Sequence, residues 1–192
     1  MRFAVVPKIV GLCSLLFLSF GAMAGDGPKC IANICLDGKH FSLKRATKIL
    51  GPTKKDTARS IAYLCYGINS GAVLRVGYLQ GDASVVSLLL SKSESCEPTG
   101  QSRLGVKHLI TEHGIGLGSS VEEVKGKYGE PAKKVGPEIA YKRWLSDDSG
   151  AYHNRGDLDE LWIYGPDTNT SLVRGFAIDR GKVVGILLQD SP

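Results

Sequence analysis

A polar segment late in the chain holds most of the side chains that could react with, or bind, another molecule. The stretch SDDSGAYHNRGDLDELWIYGPD covers residues 146–167. Calcium binding would need oxygen ligands at alternating positions and a glycine at the turn of the loop, and that spacing is missing here. We interpret the acids as the surface of a solvated loop, with a carboxylate pair or a calcium loop as the alternative; they are Asp147, Asp148, Asp157, Asp159 and Glu160.

The same segment offers His153 as a general base for hydrolysis, with a nearby aspartate to orient the ring. A hydrolase would also need an exposed nucleophile. The chain has no Gly-x-Ser-x-Gly sequence, the pattern that places a serine on a sharp turn. We therefore predict that the protein is not an enzyme, and a small hydrolase that uses His153 and an aspartate is the alternative.

Neither the histidines nor the glycines predict a cofactor or a metal. His108 and His113 lie five positions apart, a spacing that puts them on opposite sides of a strand and out of line on a helix. We interpret them as a surface pair, and His40 and His153 add no ligand motif. The sequence GIGLG at residues 114–118 lacks the lysine and hydroxyl residue that follow a nucleotide-binding loop. We predict no cofactor and no metal site.

The residue types of the polar segment fit binding of another protein better than they fit catalysis or metal binding. Tryptophan, tyrosine and arginine are common at the centres of protein interfaces, because they combine a large contact area with a polar group. Alternatively, the two tryptophans pack within a sheet. The predicted partner-binding residues are Trp144, Asp147, Asp148, Tyr152, His153, Arg155 and Trp162.

The first 24 residues have the composition of a secretory signal peptide. Arg2 and Lys8 accompany an apolar run at residues 9–20, and Ala-Met-Ala follows before Gly25. The run is shorter than the roughly 20 residues that cross a bilayer, so an uncleaved anchor is the less favoured alternative. Cys13 lacks the small preceding residue of a lipoprotein signal. We predict a mature chain that is periplasmic or secreted and has no transmembrane span.

The charge composition bears on the kind of partner. The full chain has 24 basic and 19 acidic side chains, a formal net charge of +5. Nucleic-acid binding requires a clustered surplus of lysine and arginine. We predict no nucleic-acid partner.

Four cysteines lie beyond the signal peptide, all in the first half of the chain. An even number in an exported protein predicts two disulfides, because the compartment oxidises thiols. Of the three possible pairings we favour Cys30 with Cys35 and Cys65 with Cys96, the second closing a loop of about thirty residues. Zinc is disfavoured, since no Cys-x-x-Cys or paired-histidine spacing is present.

A helix motif occurs twice in the chain, 78 positions apart. In the second copy, Ser119 or Ser120 can cap the helix and Glu122 or Glu123 can complete a capping box. Glycine then ends each helix just before a proline. We interpret the match as an internal repeat. The paired positions are Ser42, Leu43, Ala46, Leu50 and Gly51 with Ser120, Val121, Val124, Tyr128 and Gly129; the sequence IAY recurs at the same shift, at residues 61–63 and 139–141.

Strand-like runs follow both helices. The end of the second copy, residues 171–191, matches residues 72–93 at a shift of 98, so about twenty residues are inserted in the second copy. We assign the insertion to a long polar loop and one extra strand at residues 158–164. The predicted fold class is α+β, with two tandem repeats that are each a helix packed on an antiparallel β-sheet. The predicted boundaries are 1–24 for the signal peptide, 25–103 for the first repeat and 104–192 for the second.

The repeated pattern, as in GIGLGSSVEEVKGKYGEP, resembles the tandem-repeat β-lactamase inhibitor proteins, and a single unit is similar to the small lipoprotein of the outer-membrane β-barrel assembly machinery. The resemblance implies a concave sheet face that binds another protein. We predict an exported protein-binding protein, an inhibitor or immunity-type protein that acts on an envelope enzyme or a toxin. The alternative is a scaffold component of envelope assembly.

Overall fold

A computed structural model describes residues 25–37, 40–54, 61–92, 96–140, 158–165 and 172–190. The predicted signal peptide and most of the polar segment lie outside these residues. The elements are β1 (Cys30–Ile31), β2 (Ile34–Cys35), α1 (Leu43–Leu50), β3 (Ile61–Gly67), β4 (Val73–Leu79), β5 (Val85–Ser91), β6 (Gly100–Gln101), a 3-10 turn (Val106–His108), α2 (Val121–Tyr128), β7 (Lys133–Val135), α3 (Pro137–Ala140), β8 (Glu160–Tyr164), β9 (Leu172–Asp179) and β10 (Lys182–Asp190).

One mixed sheet of eight strands carries the fold, in the order β6-β3-β4-β5-β10-β9-β8-β7. Strands β3, β4 and β5 form one antiparallel meander, and β8, β9 and β10 form another. The two meanders join where β5 pairs antiparallel with β10, with Leu90 opposite Ile186 and Leu88 opposite Leu188. Among the strands that the structure describes, only β6 runs parallel to its neighbour, β3.

The predicted fold class is therefore wrong. The chain does not form two helix-on-sheet repeats, because a single sheet continues through both halves and the α-helices of the described residues are short. A separate sheet in each half would leave the backbone groups of β5 and β10 unpaired at two edges. Pairing those strands satisfies both edges and merges the apolar faces into one core.

Both longer helices begin and end as their sequences predict. Ser42 caps α1 by accepting a hydrogen bond from the Arg45 N–H. At α2, Ser120 and Glu123 form the reciprocal bonds of a capping box. Leu43, Ala46 and Leu50 of α1 are buried, as are Val124 and Tyr128 of α2, so each helix turns its apolar side to the same main core.

The glycine after each helix has two structural roles. Gly51 and Gly129 have φ angles of 110° and 74°, a region that favours residues without a side chain. Their carbonyls also accept hydrogen bonds from buried tyrosines: Tyr66 Oη donates to Gly51 at 3.0 Å, and Tyr164 Oη donates to Gly129 at 3.1 Å. The recurrence of the motif thus follows from how each helix end is attached to the sheet.

The two IAY sequences differ in structure. The first lies in β3, whereas Ile139 and Ala140 lie in α3. Pro137 at the first position of α3 and Glu138 in its first turn both favour a helix start. In the second half, β8 occupies the place that β3 has in the first: it pairs with β9 as β3 pairs with β4.

Two disulfides connect the first half of the chain, and both favoured pairings are confirmed. Cys30 is bonded to Cys35, across the β1–β2 hairpin, and Cys65 in β3 is bonded to Cys96. They make the protein consistent with an oxidising, exported location. Among the described residues, no helix has the length and apolar composition needed to cross a membrane.

Buried tyrosines predict a loss of stability at alkaline pH. Burial raises the pKa of Tyr66 to about 12, and it also raises the pKa values of Tyr128 and Tyr164. Unfolded tyrosines lose their protons near pH 10, so between about pH 10 and 12 the folded state binds more protons than the unfolded state. The free energy of unfolding should therefore hold up to about pH 10 and fall steeply above it, as measured by urea unfolding at a series of pH values.

Tyr66→Phe provides the matched test. The variant loses the hydrogen bond to Gly51, which should cost about 1 kcal/mol at pH 7. It also removes one titrating group, so its stability should fall less steeply above pH 10. An unchanged slope would contradict the assignment of the alkaline transition to these tyrosines.

Candidate functional site

The N-terminal clasp, residues 25–37, links the two halves of the molecule. It contains the β1–β2 hairpin closed by Cys30–Cys35, and it buries Ile31, Ile34 and Leu36 in the main core. Although the clasp precedes α1 in the chain, its polar contacts are with β9 and with the linker, which we define as residues 102–120 between β6 and α2. The clasp therefore closes the core over residues that are distant in sequence.

Arg174 of β9 binds the clasp through hydrogen bonds from its side chain. The side chain is 3% exposed, and its guanidinium donates hydrogen bonds to the carbonyl of Pro28, at 2.9 Å, and to the carbonyl of Leu36. Burial lowers the pKa of Arg174, and burial raises the pKa of the nearby Asp190 carboxyl. A buried cation of this kind is stabilised by the two carbonyl dipoles and by the charge of Asp190.

Glu112 of the linker binds the clasp by accepting hydrogen bonds from its backbone amides. One carboxylate oxygen accepts from the Lys29 N–H at 2.9 Å, and the other accepts from the Cys30 N–H at 2.9 Å. The Ala32 N–H donates to the Ile110 carbonyl at 3.0 Å. Linker and hairpin are thus connected through both side chain and backbone.

Glycines allow the clasp to approach the second half closely. A Cβ atom at Gly25 would lie 2.2 Å from the carbonyl oxygen of Tyr128, and one at Gly27 would lie 2.4 Å from the Cβ of Tyr164. Gly27 also has a φ of 70°. Any larger residue at these positions would push the clasp away from α2 and β8.

Two surface clefts lie on either side of Glu112. We call the first the aliphatic cleft; it has a volume of about 500 Å³ and is lined by Ala32, Asn33, Ile49, Leu104, His108, Ile110, Thr111 and Glu112. We call the second the polar cleft; it has a volume of about 410 Å³ and is lined by Gly25, Asp26, Gly27, Lys29, Glu112, His113, Lys127 and Tyr128. The aliphatic cleft has the apolar floor and polar rim that are usual for binding sites.

The two linker histidines point to different surroundings. His108 is exposed at the rim of the aliphatic cleft. The His113 ring lies 5.1 Å from the ring of Tyr128, beside the polar cleft. Within the part of the chain that the structure describes, no three side chains of histidine, cysteine or acidic type are grouped to hold a metal.

Of the predicted partner-binding residues, only Trp162 lies within the described structure. It is 2% exposed, and its indole N–H donates to Glu160 at 2.6 Å. The ammonium groups of Lys134 and Lys125 lie 4.4 Å and 5.5 Å from its ring. The other six, Trp144, Asp147, Asp148, Tyr152, His153 and Arg155, lie outside the described residues, and their role stays a prediction.

The ends of that undescribed segment are placed by a second, smaller apolar cluster. Ala140 at the end of α3 and Leu158 before β8 are both buried in it, together with Val135, Leu161 and Ala177. Next to Ala140, Ile139 is 54% exposed. A single exposed apolar side chain is common on protein surfaces, so the region is a candidate contact surface only because Ile163 and Val184, which pack on the same cluster, are also partly exposed.

Sequence reasoning missed Glu112 and Arg174. Glu112 lies in a linker without clear periodicity, and Arg174 lies in a strand where an isolated arginine normally faces solvent. Neither has a motif that marks its partners, which are backbone groups of a segment far away in the chain. An arginine within the alternating apolar pattern of β9 was the one available signal.

Comparisons with known proteins give little further information. No family model matches the chain, and no curated protein matches it. Among solved structures, the chain is similar to an extracellular protein containing a SCP domain from Bacillus anthracis str. Ames, with 12% identity and a TM-score of 0.44. The match covers 98% of this chain and 50% of that one, so the chain spans about half the length of that protein. Likeness at this level assigns neither fold nor function.

Arg174→Met tests whether the clasp depends on the buried guanidinium. The variant leaves the carbonyls of Pro28 and Leu36 without their donor, and we expect the free energy of unfolding to fall by about 2–4 kcal/mol. Hydrogen exchange should speed up most at the Ala32 and Ile34 amides. Arg180→Met is the control, because its side chain is exposed, and it should change stability little. Equal losses in the two variants would contradict this role of Arg174.

Proposed function

We propose that this chain is an exported, non-enzymatic protein that binds another protein. In the finer form of the proposal, it is a periplasmic inhibitor or immunity-type protein that acts on an envelope enzyme or a toxin. The observation that carries the proposal is the exposed Ile139 beside the fixed ends of the polar segment.

The geometry of the second cluster supports this proposal. Ala140 and Leu158 are buried in the same cluster, so the two residues that flank positions 141–157 lie close together. Binding loops often have their ends fixed on a rigid scaffold in this way. The segment contains residue types that are frequent in interface hot spots, such as Trp144, Tyr152 and Arg155.

The surface beside the segment supports the proposal as well. Ile163 and Val184 are only partly buried and pack against the second cluster. Ile139, which is 54% exposed, directly precedes Ala140 of that cluster. Together with the exposed Lys133 and Glu138 of the same part of the chain, these side chains have the mixed apolar and charged make-up of a protein contact surface.

Export fits both disulfides, which need an oxidising compartment to persist. The disulfides also favour a protein that must stay folded outside the cytoplasm. The resemblance to the tandem-repeat β-lactamase inhibitor proteins points to the same kind of activity, and it stays a prediction.

Site-specific photocrosslinking of the mature chain can test the proposal. A benzophenone amino acid at position 139 should yield one discrete crosslinked protein from envelope or culture fractions of the host. The same group at Glu122, which is exposed on α2, serves as the control and should yield none.

A variant that lacks residues 147–155 gives the second arm. It should lose the crosslink at position 139 and keep a cooperative unfolding transition, since the deleted residues lie outside the described fold. Equal recovery of a partner by the full and the shortened chains would overturn the assignment of the segment. Absence of any specific crosslinked protein at position 139 would overturn the proposed surface.

A further inference from the structure

The first turns of α1 and α2 carry opposite charges. Lys44 and Arg45 occupy the first turn of α1, where α2 has Glu122 and Glu123, 78 positions later. Acidic residues are favourable at a helix N-terminus, because they complement the partial positive charge there. Helix α1 has no acid in its first turn and carries two cations instead, so its charges oppose its own dipole. Stability of the helix does not account for this pattern.

More cations extend the positive surface of α1. Lys48 lies in its last turn, one turn after Lys44. Ile49, which lines the aliphatic cleft, lies one turn after Arg45, so the row that contains Arg45 leads toward the cleft. The segment after β6 adds Arg103 and Lys107, both exposed. These residues lie close to α1, because the Arg103 N–H donates to the Leu50 carbonyl at 2.7 Å and Leu104 lines the same cleft as Ile49.

Acidic side chains do not neutralise these cations. Residues 40–54 and 98–111 contain no aspartate or glutamate. Among the described residues, ion pairs within 4.0 Å form elsewhere, at Lys29, His40, Lys125 and Arg180. Glu112 is the carboxylate that lines the aliphatic cleft, and its oxygens accept the clasp amides. The surface therefore presents five cations that form no ion pair with the described residues, against the single negative charge of Glu112.

The aliphatic cleft lies beside these cations, because Lys48, Arg103 and Lys107 each directly precede a residue that lines it. Its apolar lining residues are Ala32, Ile49, Leu104 and Ile110, and Ile110 is 37% exposed. An apolar lining with cations nearby suits a ligand that has one apolar group flanked by negative charges.

We propose that the basic cleft, defined as the aliphatic cleft together with Lys44, Arg45, Lys48, Arg103 and Lys107, binds an acidic polypeptide segment that inserts one aliphatic or aromatic side chain. This inference rests on the proposed function, in that the partner is a protein. It adds a second contact surface, in the first half of the molecule, and it specifies the charge of the partner. Complementary charge would mainly raise the association rate, and the inserted side chain would provide the anchor.

The shape of the surface favours a polypeptide over other anionic partners. Binding to an anionic lipid surface uses an amphipathic helix whose apolar side chains project into the bilayer. Here the apolar residues form a concave floor, and the apolar side of α1 is buried in the core. Single-stranded nucleic acid needs exposed aromatic rings for stacking, whereas Phe41 beneath Arg45 is 6% exposed.

Fluorescence anisotropy with labelled peptides tests the proposal. The probe is a ten-residue peptide of aspartate and glutamate with one central leucine, and the matched probes carry alanine instead of leucine, or lysines instead of the acids. We expect saturable binding of the leucine peptide to the mature chain, weakening as salt is raised because the charges are exposed. The alanine peptide should bind less tightly, and the lysine peptide should not bind.

Charge-reversal variants locate the site. The double variant Lys48→Glu, Lys107→Glu should bind the leucine peptide about tenfold or more less tightly. Ile110→Ser should remove the difference in affinity between the leucine and alanine peptides. Lys182→Glu, an exposed cation at the start of β10, is the matched control and should bind like the natural protein. Unfolding by urea should show that all variants remain folded.

The outcomes separate this inference from the proposed function. An equal loss of affinity in the Lys182→Glu control, equal affinity for the leucine and alanine peptides, or binding of the natural chain to anionic vesicles alone would overturn the basic cleft. Photocrosslinking at position 139 could still succeed in each of these cases. Conversely, specific peptide binding without any crosslinked protein at position 139 would support the cleft and overturn the surface around Ile139.

Discussion

Backbone pairing between β5 and β10 is the constraint on which the rest of this structure depends. It converts two three-stranded meanders into the centre of one sheet, and it places Leu88 and Leu90 opposite Leu188 and Ile186. Helices α1 and α2 can then pack on the same face and share a single core. Helices of eight residues would cover little of a separate sheet, so a joint core buries more apolar area than two small ones could.

The clasp completes this core from outside the sheet. Its apolar residues, Ile31, Ile34 and Leu36, need a position without unsatisfied backbone groups, since buried polar groups without partners are costly. Arg174 and Glu112 supply the missing donors and acceptors. The aliphatic and polar clefts both lie where the clasp meets the linker, and Glu112 lines both of them.

Similarity between the halves explains the framework, and the differences between them suggest the function. The tyrosine-to-glycine hydrogen bonds occur in both halves, since each helix end has to be fixed to the shared sheet. The charges at the start of the helices need not match, and there Lys44 and Arg45 replace the acids that stabilise α2. Similarly, the polar segment has no counterpart in the first half. Residues that do not serve the fold are the ones available for binding.

The sequence by itself determined the local features: both helices with their caps, most of the strands, and both disulfide pairings, because each depends on spacing along the chain or on the number of cysteines. It did not determine that the halves share one sheet, that Ile139 lies in a helix, or that Trp162 is buried between two lysines. Those features depend on contacts between distant residues, which alternation and propensity do not encode. The same holds for the candidate sites. The net charge of +5 did not predict the basic cleft, because a total does not show where the charges lie. Only the tertiary structure brings α1 and the segment after β6 together around Ile110, because that juxtaposition arises from the packing of the linker against the clasp.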